Sequence, residues 1–401
     1  MPQPDISVND AHFHADPYPF YARLRADGPV HQVEVTAAEY TPTFLVVGYE
    51  EARRALNHPG LSKNWAGSGV LPGVATTVAN SNMLETDPPQ HTRLRRLVAR
   101  EFTARRVQAM RPRVQQITDE LLDAMAARPQ RTADLIKALA FPLPMTVIGE
   151  LLGVPDLDRE RFSHWSKEVL APTSVTPSTK AHQKLSDYLA ELVENKAKEP
   201  GEDLLSALIR TRDEDGDALS SAELIGMAFL LLIAGHETTV NLISNGTRAL
   251  LAHPDQLAAL RADYEGLLDG AVEEMLRYDG PVQNTTYRYA REAMELGGTA
   301  IPAGATVLVS LAGADRDPGR YESPDTFDIR RAPQGHLAFG HGLHFCIGAP
   351  LARMEGRIAI RGLLERFPDL AEDLSGEPFA DSSSWIGGSL IRGVTRLPVR
   401  W

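Results

Sequence analysis

The only cysteine in this chain of 401 residues, Cys346, lies in the glycine-rich run FGHGLHFCIG, Phe339 to Gly348. A lone thiol is most often a small buried hydrophobe, but as a thiolate it is also a nucleophile or a metal ligand. Its neighbours argue for the thiolate. Gly340, Gly342 and Gly348 permit a tight backbone path that turns free amides inward. The next residues, APLARMEGRIAIRGLL, read as a helix whose N-terminus favours an anion. The run therefore predicts a thiolate presented to a ligand. One cysteine and His344, two residues apart, are too few local ligands for zinc. A cysteine nucleophile with a histidine base is chemically sound, yet it leaves the other constellations unused.

Those constellations are three. MAFLLLIAGHETT opens a helix that is apolar on nearly all faces, the pattern of a buried central helix. Its middle nevertheless carries Gly235, His236, Glu237, Thr238 and Thr239. A buried carboxylate costs several kcal/mol unless paired or watered. Glycine, acid and alcohol together predict a local opening of that helix beside a cavity. HETTV begins like the zinc-protease motif but has Val240 where the second histidine belongs. Second, Glu274 and Arg277 share a helix face at a spacing of three, which alone reads as a common surface pair. Third, His91 and Arg95 lie four apart, Arg288 sits in an otherwise uncharged strand-like stretch, and His344 precedes the cysteine. Together these four supply donors for a dianionic ligand. A thiolate on a heme iron uses more of these residues than zinc or nucleophilic chemistry does.

The elements that must position them are mostly helices. Periodicity predicts helices at Phe20–Ala26, Glu50–Asn57, Pro89–Phe102, Ala104–Ala127, Phe141–Leu152, Asp158–Leu170, Ser178–Lys198, Ala222–Ala252, Gly266–Tyr278 and Pro350–Arg366. Short strands are expected at His31–Val35, Phe44–Val47, Tyr287–Ala290, Ala305–Leu311 and Val394–Val399. The fold class is mainly α with small β-sheets. Two loops, Gly60–Ser81 (uncharged apart from Lys63) and Ala171–Thr179, read as covers over a site. The longest apolar run, Met227 to Gly235, is about half a bilayer span, and neither a signal peptide nor a membrane anchor is expected. A single cysteine fits a reducing, cytoplasmic compartment. The net charge of −12 argues against nucleic acid as a partner. Against that acidic background, His91 to Arg113 holds eight arginines and one acid, Glu101. This predicts a local electropositive face, either plain solvated helix or a docking surface.

The three motifs, in order and spacing, resemble those of cytochrome P450s. The cysteine signature F-x-x-G-x-[HR]-x-C-x-G is met by Phe339, Gly342, His344, Cys346 and Gly348. The E-x-x-R signature falls on Glu274 and Arg277, and [AG]-G-x-[DE]-T on Ala234, Gly235, Glu237 and Thr238. The resemblance runs from about Asp16 to the C-terminus and is nearest to actinobacterial enzymes that hydroxylate macrolides and secosteroids. A small departure is Asp315, where many relatives have asparagine.

The resemblance implies one domain over residues 1–401, with heme b (iron protoporphyrin IX) between a long central helix and the cysteine loop. Cys346 would ligate the iron, donate electron density and favour O–O cleavage. Phe339 would cover the sulfur, and Ala234, Gly340, Gly348 and Ala352 would touch the cofactor. His91, Arg95, Arg288 and His344 would bind its propionates. Glu237 and Thr238 would organise proton-delivering water, and Glu274 and Arg277 would be structural. Substrate would meet Leu230, Ile233, Ala234, Asn284, Thr285, Trp385 and Ile386. The implied activity is monooxygenation of a hydrophobic small molecule by O2, in a soluble monomer served by a ferredoxin and ferredoxin reductase. The ferredoxin would dock against Arg93, Arg96, Arg100, Arg353 and Arg357. A non-oxygenating heme-thiolate sensor and a peroxide-driven enzyme are the alternatives. The acid–alcohol pair at 237 and 238 disfavours both, since neither needs that proton relay.

Overall fold

The computed structural model describes residues 5–6, 11–35, 42–64, 77–155, 159–170, 175–211, 216–332, 334–373, 375 and 384–401. Its axis is the helix Ser221–Ala252. Ser220 caps it by accepting from the Glu223 amide while the Glu223 carboxylate accepts from the Ser220 amide, so two orphan donors are satisfied. By length and hydropathy this helix is one that a membrane would accept, but most of its apolar window is buried inside the protein. Helices Pro142–Leu152, Val175–Lys198, Tyr264–Asp279 and Ala349–Arg366 pack around it.

Beside this helical body stands a six-stranded sheet, in the order Asp5–Ile6, Val30–Val35, Thr43–Val46, Thr306–Val309, Arg288–Ala290, Leu61–Ser62. Thr43–Val46 and Thr306–Val309 run parallel, with Thr43 opposite Thr306. Leu61–Ser62 closes one edge against Arg288–Ala290, with Ser62 opposite Tyr289. Thr132–Asp134, Ala371–Glu372 and Pro398–Arg400 form a smaller antiparallel sheet.

Several sequence expectations shift. The helix expected over Ala104–Ala127 is two, Ala104–Ala109 and Arg111–Ala126. Pro112 lacks an amide to donate backwards and so belongs in a first turn. The strand expected at Ala305–Leu311 ends at Val309, because the Ser310 hydroxyl accepts from the Gly313 amide and starts a short helix, Leu311–Ala314. Of Val394–Val399, only the stretch from Pro398 finds strand partners. The cover loop placed at Ala171–Thr179 is shorter, since a helix begins at Val175. Residues 171–174 of that loop, and 65–76 of the other, lie outside the described residues.

Candidate active site

The cysteine run is a turn built on left-handed glycines. Gly340 and Gly342 both have φ of 72°, and the Cys346 amide donates to the Phe339 carbonyl at 2.9 Å. A Cβ on Gly342 would come within 2.6 Å of Asn57 Oδ1, so that position is closed to any side chain. Phe339 lies under the Arg353 guanidinium, 4.4 Å from its ring centre. Leu343 and Phe345 are exposed, and Phe345 also lines the cavity that reaches this turn.

The sulfur departs from expectation. Burial pushes the Cys346 thiol pKa up. The Gly348 and Ala349 amides and the Arg95 and Arg353 charges work the other way, but burial wins. The inward amides alone therefore do not favour the thiolate; a metal cation bonded to the sulfur would.

One cavity of about 490 Å³ reaches from this turn to the central helix. His91, Arg95, Ala234, Arg288, Phe339, Gly340, His344, Cys346, Gly348 and Ala352 all line it. His91 is buried on the helix Gln90–Glu101, and neither of its ring nitrogens has a hydrogen-bond partner. Its ring stands 4.4 Å from that of His344. Burial, then the charges of His91, Lys63 and Arg288, push the His344 pKa down to about 3. Arg288 is buried and donates to Thr285 Oγ1 at 3.3 Å, and Arg95 donates to the Phe345 carbonyl at 2.7 Å. Orphaned buried donors among basic groups fit an anionic occupant, as the two carboxylates of a heme would be.

The central helix is continuous through Gly235, so the expected opening is absent. Gly235 serves packing instead, since a Cβ there would sit 2.8 Å from Ile148 Cδ1. Thr238 lines the cavity and donates to the Ala234 carbonyl at 2.8 Å. Glu237, its neighbour, does not line the cavity. Its carboxylate accepts from Ser166 Oγ at 2.8 Å and lies 3.4 Å from His236 Nε2. Burial acts to raise the Glu237 pKa, but His236 and Ser166 outweigh it and hold the acid ionised. Sequence reasoning missed Glu355, a fully buried acid beside Thr239, which also lines the cavity. Burial pushes Glu355 up to about 8, and its Oε2 has no partner. Burial thus favours its neutral form.

Of the residues expected at substrate, Leu230, Ile233, Ala234 and Thr285 line the cavity. Asn284, Trp385 and Ile386 do not, and these three placements are corrected. The Asn284 amide is spent on the Ser389 carbonyl at 2.6 Å. Trp385 lies under two guanidinium groups, Arg392 at 4.1 Å and Arg248 at 4.7 Å. The Ile386 amide pairs with the Gly393 carbonyl at 2.9 Å. From the same C-terminal segment, Leu390 and Ile391 face the chamber instead.

Glu274 and Arg277 are both buried, which overturns the surface-pair reading of that motif taken alone. Arg277 donates twice to Glu274, at 2.7 and 2.8 Å, and also to the carbonyls of Asp315, Pro324 and Thr326. Asp315 is buried beside them and accepts from the Leu337 amide at 2.7 Å. Burial pushes its pKa up to about 6, against opposing contributions from His336, Leu337 and Arg277. The unfolded chain ionises first, so stability falls as pH rises from about 4 to 6, and the full cost persists above that. Asp315→Asn keeps an acceptor for Leu337 and removes the charge. We expect it to stabilise the protein by about 2–3 kcal/mol above pH ~6, with no gain below pH ~4. Urea unfolding across that range tests this; a gain independent of pH would exclude the ionisation as its cause.

Several arginines expected on the positive face are paired internally. Arg93 pairs with Asp217 at 3.0 Å and with Glu223, Arg113 with Glu150 at 2.6 Å, Arg353 with Glu273 at 2.6 Å, and Arg357 with Asp269 at 2.7 Å. Arg93, Arg353 and Arg357 are thus not free charges awaiting a partner. Their carboxylates lie far away in sequence, so a count of local charge could not reveal them.

The family model for cytochrome P450 matches residues 28–167 and 161–386. The chain is 57% identical over 397 residues to cytochrome P450 monooxygenase PikC of Streptomyces venezuelae, covering 99% of this chain and 94% of that one. It is 44% identical to 6-deoxyerythronolide B hydroxylase of Saccharopolyspora erythraea, over 99% and 98% of the two chains. Among solved structures, the tirandamycin C-bound P450 monooxygenase TamI is similar at a TM-score of 0.87 and 43% identity, with 99% of each chain covered. The chain belongs to the cytochrome P450 family. It is a heme-dependent monooxygenase, which uses redox partners and a hydrophobic substrate.

Proposed function

We propose that this enzyme oxidises a macrolide or related polyketide, with steroids and secosteroids as the next class, using heme b. The observation that carries this reading is a single cavity with two ends. One end has the half-buried thiol of Cys346 among unpaired basic groups, and the other is apolar, with Leu230, Ile233 and Leu390. The names of the relatives support the substrate class. Broad apolar burial at about 25 cal/mol per Å² gives affinity for bulky hydrophobic molecules without naming one.

In this reading Cys346 ligates the iron, and His91, Arg95, Arg288 and His344 hold the two carboxylates. The heme, when bound, supplies oxygen activation. Thr238 holds water at the chamber wall, and Glu237, facing Ser166, feeds that water from behind the helix rather than from within the cavity. Thr239 and Glu355 add a neutral acid on the other side. The exposed Leu343 and Phe345 beside the cysteine turn provide an apolar docking patch for a ferredoxin, served by its reductase. Residues 1–401 act as one domain, monomeric and cytoplasmic. The buried central helix and the single free cysteine support that location.

The test begins with a spin-state titration against macrolides, steroids and smaller aromatics. With the strongest binder, Thr238→Ala should consume NAD(P)H at a near-normal rate while product falls at least about tenfold and peroxide rises. Normal coupling in that variant would remove Thr238 from proton delivery. A response to small aromatics alone would remove the macrolide class.

A further inference from the structure

Lys63 is the one charge in the segment Gly60–Ser81, and its side chain does not face solvent. It is 1% exposed, among the largest fully buried side chains of the protein. Its backbone is pinned. The Lys63 amide donates to Asp87 Oδ1 at 2.9 Å, and Ser62 and Arg291 occupy Asp87 Oδ2. The ammonium reaches Thr286 Oγ1 and donates to the Tyr287 carbonyl at 3.1 Å. Among the described residues no carboxylate lies within ion-pair distance of it; Glu85 and Asp87 act only at longer range.

The sheet register adds a second observation. Ser62 pairs with Tyr289, which brings Lys63, just beyond the strand end, close enough to Arg288 for the two charges to repel. Arg288 likewise has no carboxylate in ion-pair range among the described residues. Burial lowers both, Lys63 to about 8 and Arg288 to about 10. Lys63 and Arg288 are also felt at His344. A fold that buries several mutually repelling basic groups, with only the longer-range charges of Glu85 and Asp87 to offset them, is organised for an anion of more than one charge.

We propose that Lys63 is a fifth basic group of the heme-carboxylate cradle, joining His91, Arg95, Arg288 and His344. It acts through Thr286, whose side chain lines the cavity while Lys63 lies behind that wall. This rests on the heme reading above. Lys63 is a positioning residue: it orients the Thr286 hydroxyl and adds positive charge to the carboxylate end of the site.

The test compares parent holoprotein with Lys63→Gln, which keeps a donor without the charge, and Lys63→Arg, which keeps the charge. Heme loss to an excess of an apo-globin scavenger and the reduction potential of the iron are both measured. Lys63→Gln should lose heme about tenfold faster than the parent and show a lower potential, because removing a nearby positive charge disfavours the reduced iron. Lys63→Arg should stay close to the parent in both. A Lys63→Gln protein with parental heme loss and potential overturns the proposal, whether or not its thermal stability has dropped. So does one in which only the affinity for a carboxylated substrate falls, since Lys63 would then serve substrate. The carbon monoxide spectrum of the parent tests the heme reading separately.

Discussion

Cys346→Ala should abolish monooxygenation and remove the thiolate-type absorption of the reduced carbon monoxide adduct. The thiol is the only sulfur nucleophile in the chain and lies on the wall of the cavity. Burial leaves it protonated when nothing is bonded to it. In the proposed reading a metal directly on the sulfur holds it ionised, and the spectrum reports that bond. Alanine leaves the turn intact, because the turn is held by the glycines and by the Cys346 amide, not by the side chain. The basic cluster also remains, so the variant is expected to keep some heme with an altered spectrum. An unchanged thiolate-type spectrum would eliminate Cys346 as the iron ligand.

The largest expected effect on stability comes from Arg277. Arg277→Ala leaves Glu274 with Arg331, at 3.3 Å, as its remaining cationic partner, and deprives three backbone carbonyls of a donor. Breaking a buried ion pair from one side costs about 3–5 kcal/mol, and orphaned acceptors add to that. We expect most of the variant to be recovered as aggregate or heme-poor protein. The double variant Glu274→Gln, Arg277→Ala should be less damaged than the sum of the singles, since no buried charge is abandoned. A loss below about 1 kcal/mol in urea unfolding of Arg277→Ala would restore the surface-pair reading of this motif.

The contrast between these two sites shows what could be read before the structure. Chemistry that demands fixed residue types at fixed spacing is visible in one line of sequence, as at Cys346. The spacing of Glu274 and Arg277 announced their contact but not their burial, which depends on the segment around Pro324 and Thr326 folding over them. Side-chain direction was less legible. Glu237 and Thr238 are adjacent, but consecutive residues diverge by roughly 100° around a helix, so one meets Ser166 and the other the cavity. Trp385 looked like a natural wall for an apolar chamber. Its ring is taken by Arg248 and Arg392, both of which also bond the buried Asp279. Such partners come from three distant segments, and no local pattern names them. Helix positions came through well because apolar periodicity is local. Four of the five short strands were also found, but their ends shifted, because only pairing decides where a strand stops.

The close approach of Gly342 to Asn57 has a consequence for how enzymes of this kind diversify. The proposed iron ligand sits in one contiguous turn in which Gly340 and Gly342 hold left-handed backbone angles, and Gly342 also lacks space for a Cβ beside Asn57. The apolar end of the cavity, by contrast, draws its walls from many stretches far apart in sequence, from Ala79 to Ile391. Single substitutions in those stretches reshape the chamber one wall at a time without disturbing the iron-binding turn. Selectivity is thus free to drift in small independent steps while the reactivity stays frozen. A mutagenesis library that spares residues 339–348, the basic groups and Thr238, and samples apolar wall residues such as Leu230, Ile233 and Leu390, should retain a high fraction of active members with altered substrate preference.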